Sequence, residues 1–99
     1  MRRAGKRFRT ERLELRFIGS QSRQSRLGII VPRHHQSAVA RNRVKRRLRE
    51  IARLELIPQL RQRTPLDIVV RAAPEAYGAT YKALETDLQE LARRVMAVG

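Results

Sequence analysis

Residues 38–50 read AVARNRVKRRLRE, and apolar residues recur in this segment at helical spacing. At about 100° per residue, four apolar side chains fall within about 40° of one direction, namely Ala40, Val44, Leu48 and Ile51. This period predicts an α-helix from residue 38 to about residue 57, with a narrow stripe facing a core. Ser37 is the predicted N-cap, because its hydroxyl can accept a hydrogen bond from an amide of the first turn.

The opposite side of this predicted helix is almost entirely basic. We call it the basic ridge, and it consists of Asn42, Lys45, Arg46, Arg49 and Arg53. Residues 41–53 hold seven cations and a single acid, Glu50. Like charges four residues apart oppose helix formation, so an unmixed basic side is unfavourable unless something offsets it. The unmixed charge therefore predicts an anionic partner. The ridge is roughly 18 Å long, which is enough to contact several phosphates of that partner.

The charge balance of the whole chain favours the same class of partner. Lys and Arg number 23 against 9 Asp and Glu, and residues 1–63 hold 19 of the cations but 4 of the acids. Twenty of the cations are Arg, whose planar guanidinium matches phosphate oxygens in pairs. Nucleic acid is therefore the first candidate partner, and an anionic membrane surface is the second.

Length and composition limit the remaining possibilities. Ninety-nine residues predict one domain over residues 1–99, with residues 1–7 as a flexible basic N-terminus. The absence of Cys excludes disulfides and cysteine-ligated metals. No apolar run is long enough to cross a membrane, so we expect no membrane-spanning segment and a cytoplasmic location.

Strand periodicity appears on both sides of the central helix. Residues 11–18 alternate apolar and polar, residues 27–31 form a short β-branched run, and residues 66–71 alternate again. The first two are close in sequence, which predicts an antiparallel hairpin, with Phe8 and Arg9 extending its first strand. Residues 72–75 are predicted to turn and residues 59–64 to form a linker. A final amphipathic helix follows, with its stripe at Tyr77, Tyr81, Leu84, Leu88, Leu91 and Val95. The order β-β-α-β-α predicts an α+β fold, a two-layer sandwich of a small sheet and two helices.

The central helix also resembles a known signature. Its pattern Ala38-Val39-x-Arg41-Asn42-Arg43-x-Lys45-Arg46-x-x-Arg49-Glu50 is similar to the "RNR" motif of the bacterial ribonuclease P protein subunit. The similarity continues in Gly5-x-Arg7, Arg26-Leu27-Gly28 and Asp67-Ile68-Val69, and covers about residues 5–97.

This resemblance implies a fold related to one domain of a small-subunit ribosomal protein, with a left-handed β-α-β crossover. It implies that the protein joins a catalytic RNA that removes the 5′ leader from precursor tRNA by endonucleolytic hydrolysis. The RNA would carry the active site and hold most of the Mg²⁺, so the chain would be a noncatalytic subunit. Its partners would be ribonuclease P RNA and precursor tRNA, with no membrane and no protein partner, and residues 1–99 would form a single RNA-binding domain. The implied RNA-contacting set is Arg41, Asn42, Arg43, Lys45, Arg46 and Arg49, to which the basic ridge adds Arg53.

Three residues are candidates for binding the leader. Phe8 could equally stack on a base or pack into the core, whereas Arg12 and Arg16 could contact leader phosphates or simply face solvent. Family members usually begin with a further helix whose aromatic residues line a leader cleft. This chain has a few basic residues before Gly5, so we expect a cleft that is incomplete, filled otherwise or weaker for the leader.

Other functions have less support in the sequence. His34 and His35 lack further His or Cys to complete a zinc site, so a loop or phosphate-contact role is favoured. Tyr77 and Tyr81 share the apolar stripe of the last helix, which favours core packing over base stacking. No catalytic constellation supports a stand-alone nuclease. The main alternative is a ribosomal or other structural RNA-binding protein of the same fold.

Overall fold

The computed structural model describes residues 5–98 and contains a four-stranded sheet covered on one face by helices. The strands are β1 (Lys6–Arg9), β2 (Leu13–Gly19), β3 (Arg26–Ile30) and β4 (Leu66–Ala72). The α-helices are α1 (Ala38–Glu55), α2 (Ile57–Leu60) and α3 (Tyr81–Val98), and a 3₁₀ helix spans Pro74–Gly78. The predicted α+β sandwich is therefore confirmed, with one more strand and two more short helices than the sequence indicated.

The strand order corrects the predicted hairpin. The sheet runs β1-β2-β4-β3, so β4 lies between the two strands that were expected to pair with each other. β4 pairs antiparallel with β2 and parallel with β3, and the hairpin that does form joins β1 to β2. A parallel pair requires a long crossover, which α1 supplies between β3 and β4. Phe8 and Arg9 accordingly belong to a separate strand and do not extend β2.

One apolar core lies between the sheet and the helices. Alternation along β2 directs Leu13, Leu15 and Phe17 toward it, and the alternate residues of β4 do the same. The predicted stripe of α1 is fully covered, since Val44, Leu48 and Ile51 are at most 2% exposed. The position of this stripe fixes the rotation of α1, and therefore turns the basic ridge away from the core.

The two ends of α1 form as local sequence dictates. The Ser37 hydroxyl accepts a hydrogen bond from the Ala40 amide at 3.1 Å, which confirms the predicted cap. Beyond Glu55 the chain continues into α2, where Pro58 occupies the first turn and its missing N–H costs nothing. The predicted linker therefore starts inside a helix, and Leu60 is buried in the core.

Three further expectations need correction. Lys6 and Arg7 lie in β1, whereas residues 1–4 of the expected flexible N-terminus fall outside the described residues. Tyr77 belongs to the 3₁₀ helix, where its hydroxyl donates to the Pro32 carbonyl at 2.5 Å. Tyr81 begins α3 and is 37% exposed, because the core-facing stripe starts one turn later at Leu84.

No helix within residues 5–98 combines the length and apolar character that crossing a bilayer requires.

Candidate nucleic-acid interface

The basic ridge occupies the exposed side of α1. Burial of Val44, Leu48 and Ile51 places the opposite side of the helix in solvent, where Asn42, Arg46, Arg49 and Arg53 are all exposed. Lys45 is half-buried at one edge of the ridge, and Arg43 is exposed beside the other edge. The structure therefore brings six of the seven residues predicted to bind RNA to one continuous surface.

Most cations of this surface have no internal counterion. Among residues 5–98, no carboxylate lies within salt-bridge distance of Arg43, Lys45, Arg46 or Arg49. Arg53 differs, because its Nη2 lies 3.0 Å from Glu50 Oε2. On α3 the charges alternate, and Lys82 and Arg94 each pair with a glutamate of their own helix. The repulsion along α1 thus remains available for an external anion to relieve.

Arg41 is the seventh predicted residue, and it has a different environment. Its Nε donates to the Val31 carbonyl at 2.8 Å, which ties the start of α1 to the end of β3. The sequence already indicated this difference, because Arg41 lies only about 60° around the helix from Val44, close to the buried stripe. Arg47, on the other flank, donates through Nη1 to the Ala79 carbonyl at 3.4 Å. These two arginines hold α1 in place, and the residues between them face outward.

The loop before α1 is shaped by its two histidines. His34 and His35 both have positive φ, at 49° and 66°, a region that non-glycine residues seldom adopt. His34 Nε2 lies 3.3 Å from the Ala72 carbonyl, and its ring packs edge-on against Tyr77. His34 is therefore structural, while His35 is exposed. Within residues 5–98, no group of three or more His, Cys, Asp or Glu could hold a metal ion.

Two of the three predicted leader-binding residues point elsewhere. Phe8 pairs with Leu15 across the β1–β2 ladder and stacks on Phe17 at 5.8 Å, so its ring faces the core. Arg12 lies in the turn before β2, from which its Nη1 reaches Asp87 on α3 at 3.0 Å. The structure therefore packs Phe8 against the core and pairs Arg12 with an internal carboxylate, and leader binding by either residue stays a prediction.

Arg16 does lie on the open face of the sheet, opposite the helices. Its side chain is 63% exposed, and its Nε is 3.3 Å from Glu14. Together with neighbouring strands it borders a shallow depression of about 460 Å³, lined by Glu14, Arg16, Ile30, Val69 and Arg71. Ile30 and Val69 are 45% and 37% exposed, and Arg71 has no carboxylate partner among the described residues.

Arg71, Val69 and Ile30 were not predicted as binding residues. The sequence did indicate that Arg71 and Val69 are exposed, because they alternate with the buried residues Ile68, Val70 and Ala72. Ile30 could not be placed without knowing that β3 pairs with β4, which sets it beside Arg71. At the far end of this face, Asp67 forms two 3.0 Å hydrogen bonds with Arg26. These bonds and the carboxylate charge raise the pKa of Arg26 above its ordinary value.

Comparison with known proteins points to one family. The sequence model of the Ribonuclease P family matches residues 1–96. The "Ribonuclease P protein component" of Syntrophobacter fumaroxidans is 39% identical over 79 residues, which are 77% of this chain and 62% of that protein. The protein of the same name from Chloroflexus aurantiacus is 34% identical over 94 residues, 95% of this chain and 68% of the relative.

Solved structures agree with the sequence matches. The RNase P protein from Thermotoga maritima has a TM-score of 0.73 and 28% identity, over 91% of this chain and 83% of that one. The Staphylococcus aureus RNase P protein has a TM-score of 0.78 over 92% of this chain and 81% of that one. At 23% identity the second likeness shows the shared fold.

Proposed function

Because the chain belongs to the ribonuclease P protein family, we propose that it binds a ribonuclease P RNA through α1 and supports removal of the 5′ leader from precursor tRNA. The observation that carries this proposal is the set of four ridge-side cations without a carboxylate partner among residues 5–98, Arg43, Lys45, Arg46 and Arg49. Phosphates of a folded RNA would replace the missing counterions.

The chemistry of the ridge suits RNA more closely than a lipid surface. The α1 surface pairs guanidinium groups, which bind phosphate through two N–H groups, with one exposed amide at Asn42. An amide both donates and accepts hydrogen bonds, so Asn42 can bind a base edge or a ribose hydroxyl. A lipid surface does not present these groups in the same arrangement.

The open face of the sheet is the proposed site of the single-stranded leader. Arg16 and Arg71 flank the exposed Val69 and Ile30, so phosphates and the flat faces of bases each find a matching surface. The rings of Phe8 and Phe17 both point into the core, and residues 5–98 place no aromatic ring on the open face. The leader would therefore be held mainly by charge and apolar contact, with little sequence preference.

The protein would act without performing the chemical step. We place the active site and most of the Mg²⁺ on the RNA, as the resemblance of α1 to the family signature implies. By neutralising phosphates where RNA and leader crowd together, the chain would favour binding of both the substrate and the magnesium ions. We propose that the protein functions in the cytoplasm.

Reconstitution tests this proposal directly. The purified chain is added to a bacterial ribonuclease P RNA and a precursor tRNA at a magnesium concentration too low for the RNA alone. Cleavage at the mature 5′ end is expected, and it should weaken in Arg46→Ala but persist in Arg93→Ala, which removes an equal charge from α3. An inert protein that instead cosediments with ribosomes would overturn the proposal in favour of a structural RNA-binding role.

A further inference from the structure

Tyr81 stands out on the surface beside the basic ridge. It is the first residue of α3, and it is 37% exposed although Leu84, Leu88 and Leu91 of the same helix are fully buried. Among residues 5–98 its hydroxyl has no hydrogen-bond partner and its ring contacts no other aromatic ring. Tyr77, by contrast, uses its hydroxyl to bind Pro32. The Tyr81 hydroxyl and the exposed part of its ring are therefore available to a ligand.

The surroundings of Tyr81 combine three kinds of chemistry. A depression of about 450 Å³ between α1 and the start of α3 is lined by Arg43, Arg46, Arg47, Glu50 and Tyr81. The hydrogen bond from Arg47 to the Ala79 carbonyl fixes the approach of α3 to α1 at this point. The start of α3 is further ordered by Thr80, whose hydroxyl accepts from the Ala83 amide at 3.0 Å. The aromatic ring is thus held beside two unpaired guanidinium groups.

We propose that Tyr81 stacks on an unpaired base of the RNA bound by the basic ridge, with Arg43 and Arg46 contacting the phosphates on either side of that base. This inference rests on the proposed function, because it assigns one nucleotide position within the same RNA interface. Exposed tyrosine rings bind base faces well, and neighbouring arginines add phosphate contacts.

Glu50 is the reason for assigning a base, not a further phosphate, to this depression. Its side chain is 48% exposed, and it lines the depression while pairing with Arg53. A carboxylate repels phosphate but accepts hydrogen bonds from the amino groups that adenine, guanine and cytosine carry. The phosphates would accordingly sit at Arg43 and Arg46, and the base between the carboxylate and the ring.

Affinity measurements test the stacking role. We expect Tyr81→Ala to weaken binding to a bacterial ribonuclease P RNA by about five- to 150-fold, which is the fold-change for losing one stacked base. Tyr81→Phe should bind like the unmodified chain, since the ring is kept. Neither variant should alter the dependence of binding on salt, because neither removes a charge. Equal affinity of Tyr81→Ala and the unmodified chain would overturn the inference, even where the salt dependence still supports the ridge.

A fluorescent variant gives a second readout that tolerates a loss of stability. The chain has no Trp, so Tyr81→Trp introduces a single indole that can be excited apart from tyrosine and nucleic acid. Its emission should be quenched when the RNA binds. Val98→Trp is the control, since it lies at the far end of α3, roughly 25 Å away at 1.5 Å per residue. Quenching of both variants alike, or of neither while the RNA is bound, would refute stacking at Tyr81.

Discussion

Removing one ridge cation should change how RNA binding responds to salt. Suppose that four cations of α1 each neutralise one phosphate of the RNA, namely Arg43, Lys45, Arg46 and Arg49. Binding then releases the counterions of four phosphates, and a rise in salt concentration opposes that release. At about 0.7 to 0.9 per contact, the slope of log affinity against log salt is about −2.8 to −3.6 from these residues alone. Raising salt from about 50 to about 200 mM then lowers affinity about 50- to 150-fold.

Arg46→Ala should remove one of these contacts. Its slope should be shallower by about 0.7 to 0.9, so that the same rise in salt costs about 20- to 40-fold. The matched control is Arg93→Ala, which removes the same side chain and charge from α3, where Glu90 already pairs with Arg93. Filter binding or fluorescence anisotropy with labelled ribonuclease P RNA over a salt series measures both slopes.

Comparison of the two slopes shows whether the Arg46 guanidinium contacts a phosphate of the RNA. An Arg46→Ala slope equal to that of the unmodified chain would show that this guanidinium meets no phosphate. Equal flattening by Arg46→Ala and Arg93→Ala would show a response to net charge alone, and the assignment of the interface to α1 would then fail.

Three other substitutions test separate parts of the structure. Ile51→Ala, at a site with 0% exposure, should destabilise the fold by about 2 to 5 kcal/mol in urea unfolding, and a loss below about 1 kcal/mol would contradict its place in the core. Arg12→Ala should reduce stability by about 1 to 3 kcal/mol, because it leaves the buried Asp87 carboxylate unpaired, without changing the salt dependence of RNA binding. Val69→Glu should weaken binding of precursor tRNA to the assembled ribonucleoprotein but not of mature tRNA, and an equal effect on both would argue against the leader lying on the open sheet face.

The sequence predicted those features that depend on one segment at a time. Periodicity identified α1, its buried stripe and its capping residue Ser37, since each depends on residues within a few turns of one another. The same reasoning placed Leu13, Leu15 and Phe17 on the core face of β2. The exposure of the basic ridge followed from the stripe alone, because a helix that buries one side must present the other.

The strand order and several side-chain partners could not be predicted in this way. Alternation shows which face of a strand is buried, but it does not identify the neighbouring strand, and so β4 was not expected between β2 and β3. Phe8 could not be assigned to a face until its pairing with Leu15 was known. Arg12 finds Asp87 across 75 positions of sequence, a contact that depends on how α3 crosses the sheet.

The central position of β4 has a consequence for synthesis of the chain. Translation delivers β1, β2, β3 and α1 first, yet β3 has no strand to pair with until residues 66–72 emerge. During that interval the nascent polypeptide carries 17 of its 20 arginines and four of its nine acids, and α3 is not yet present to cover the sheet. The newly made amino-terminal part is therefore a polycation without a finished sheet, and folding must await the arrival of its last third.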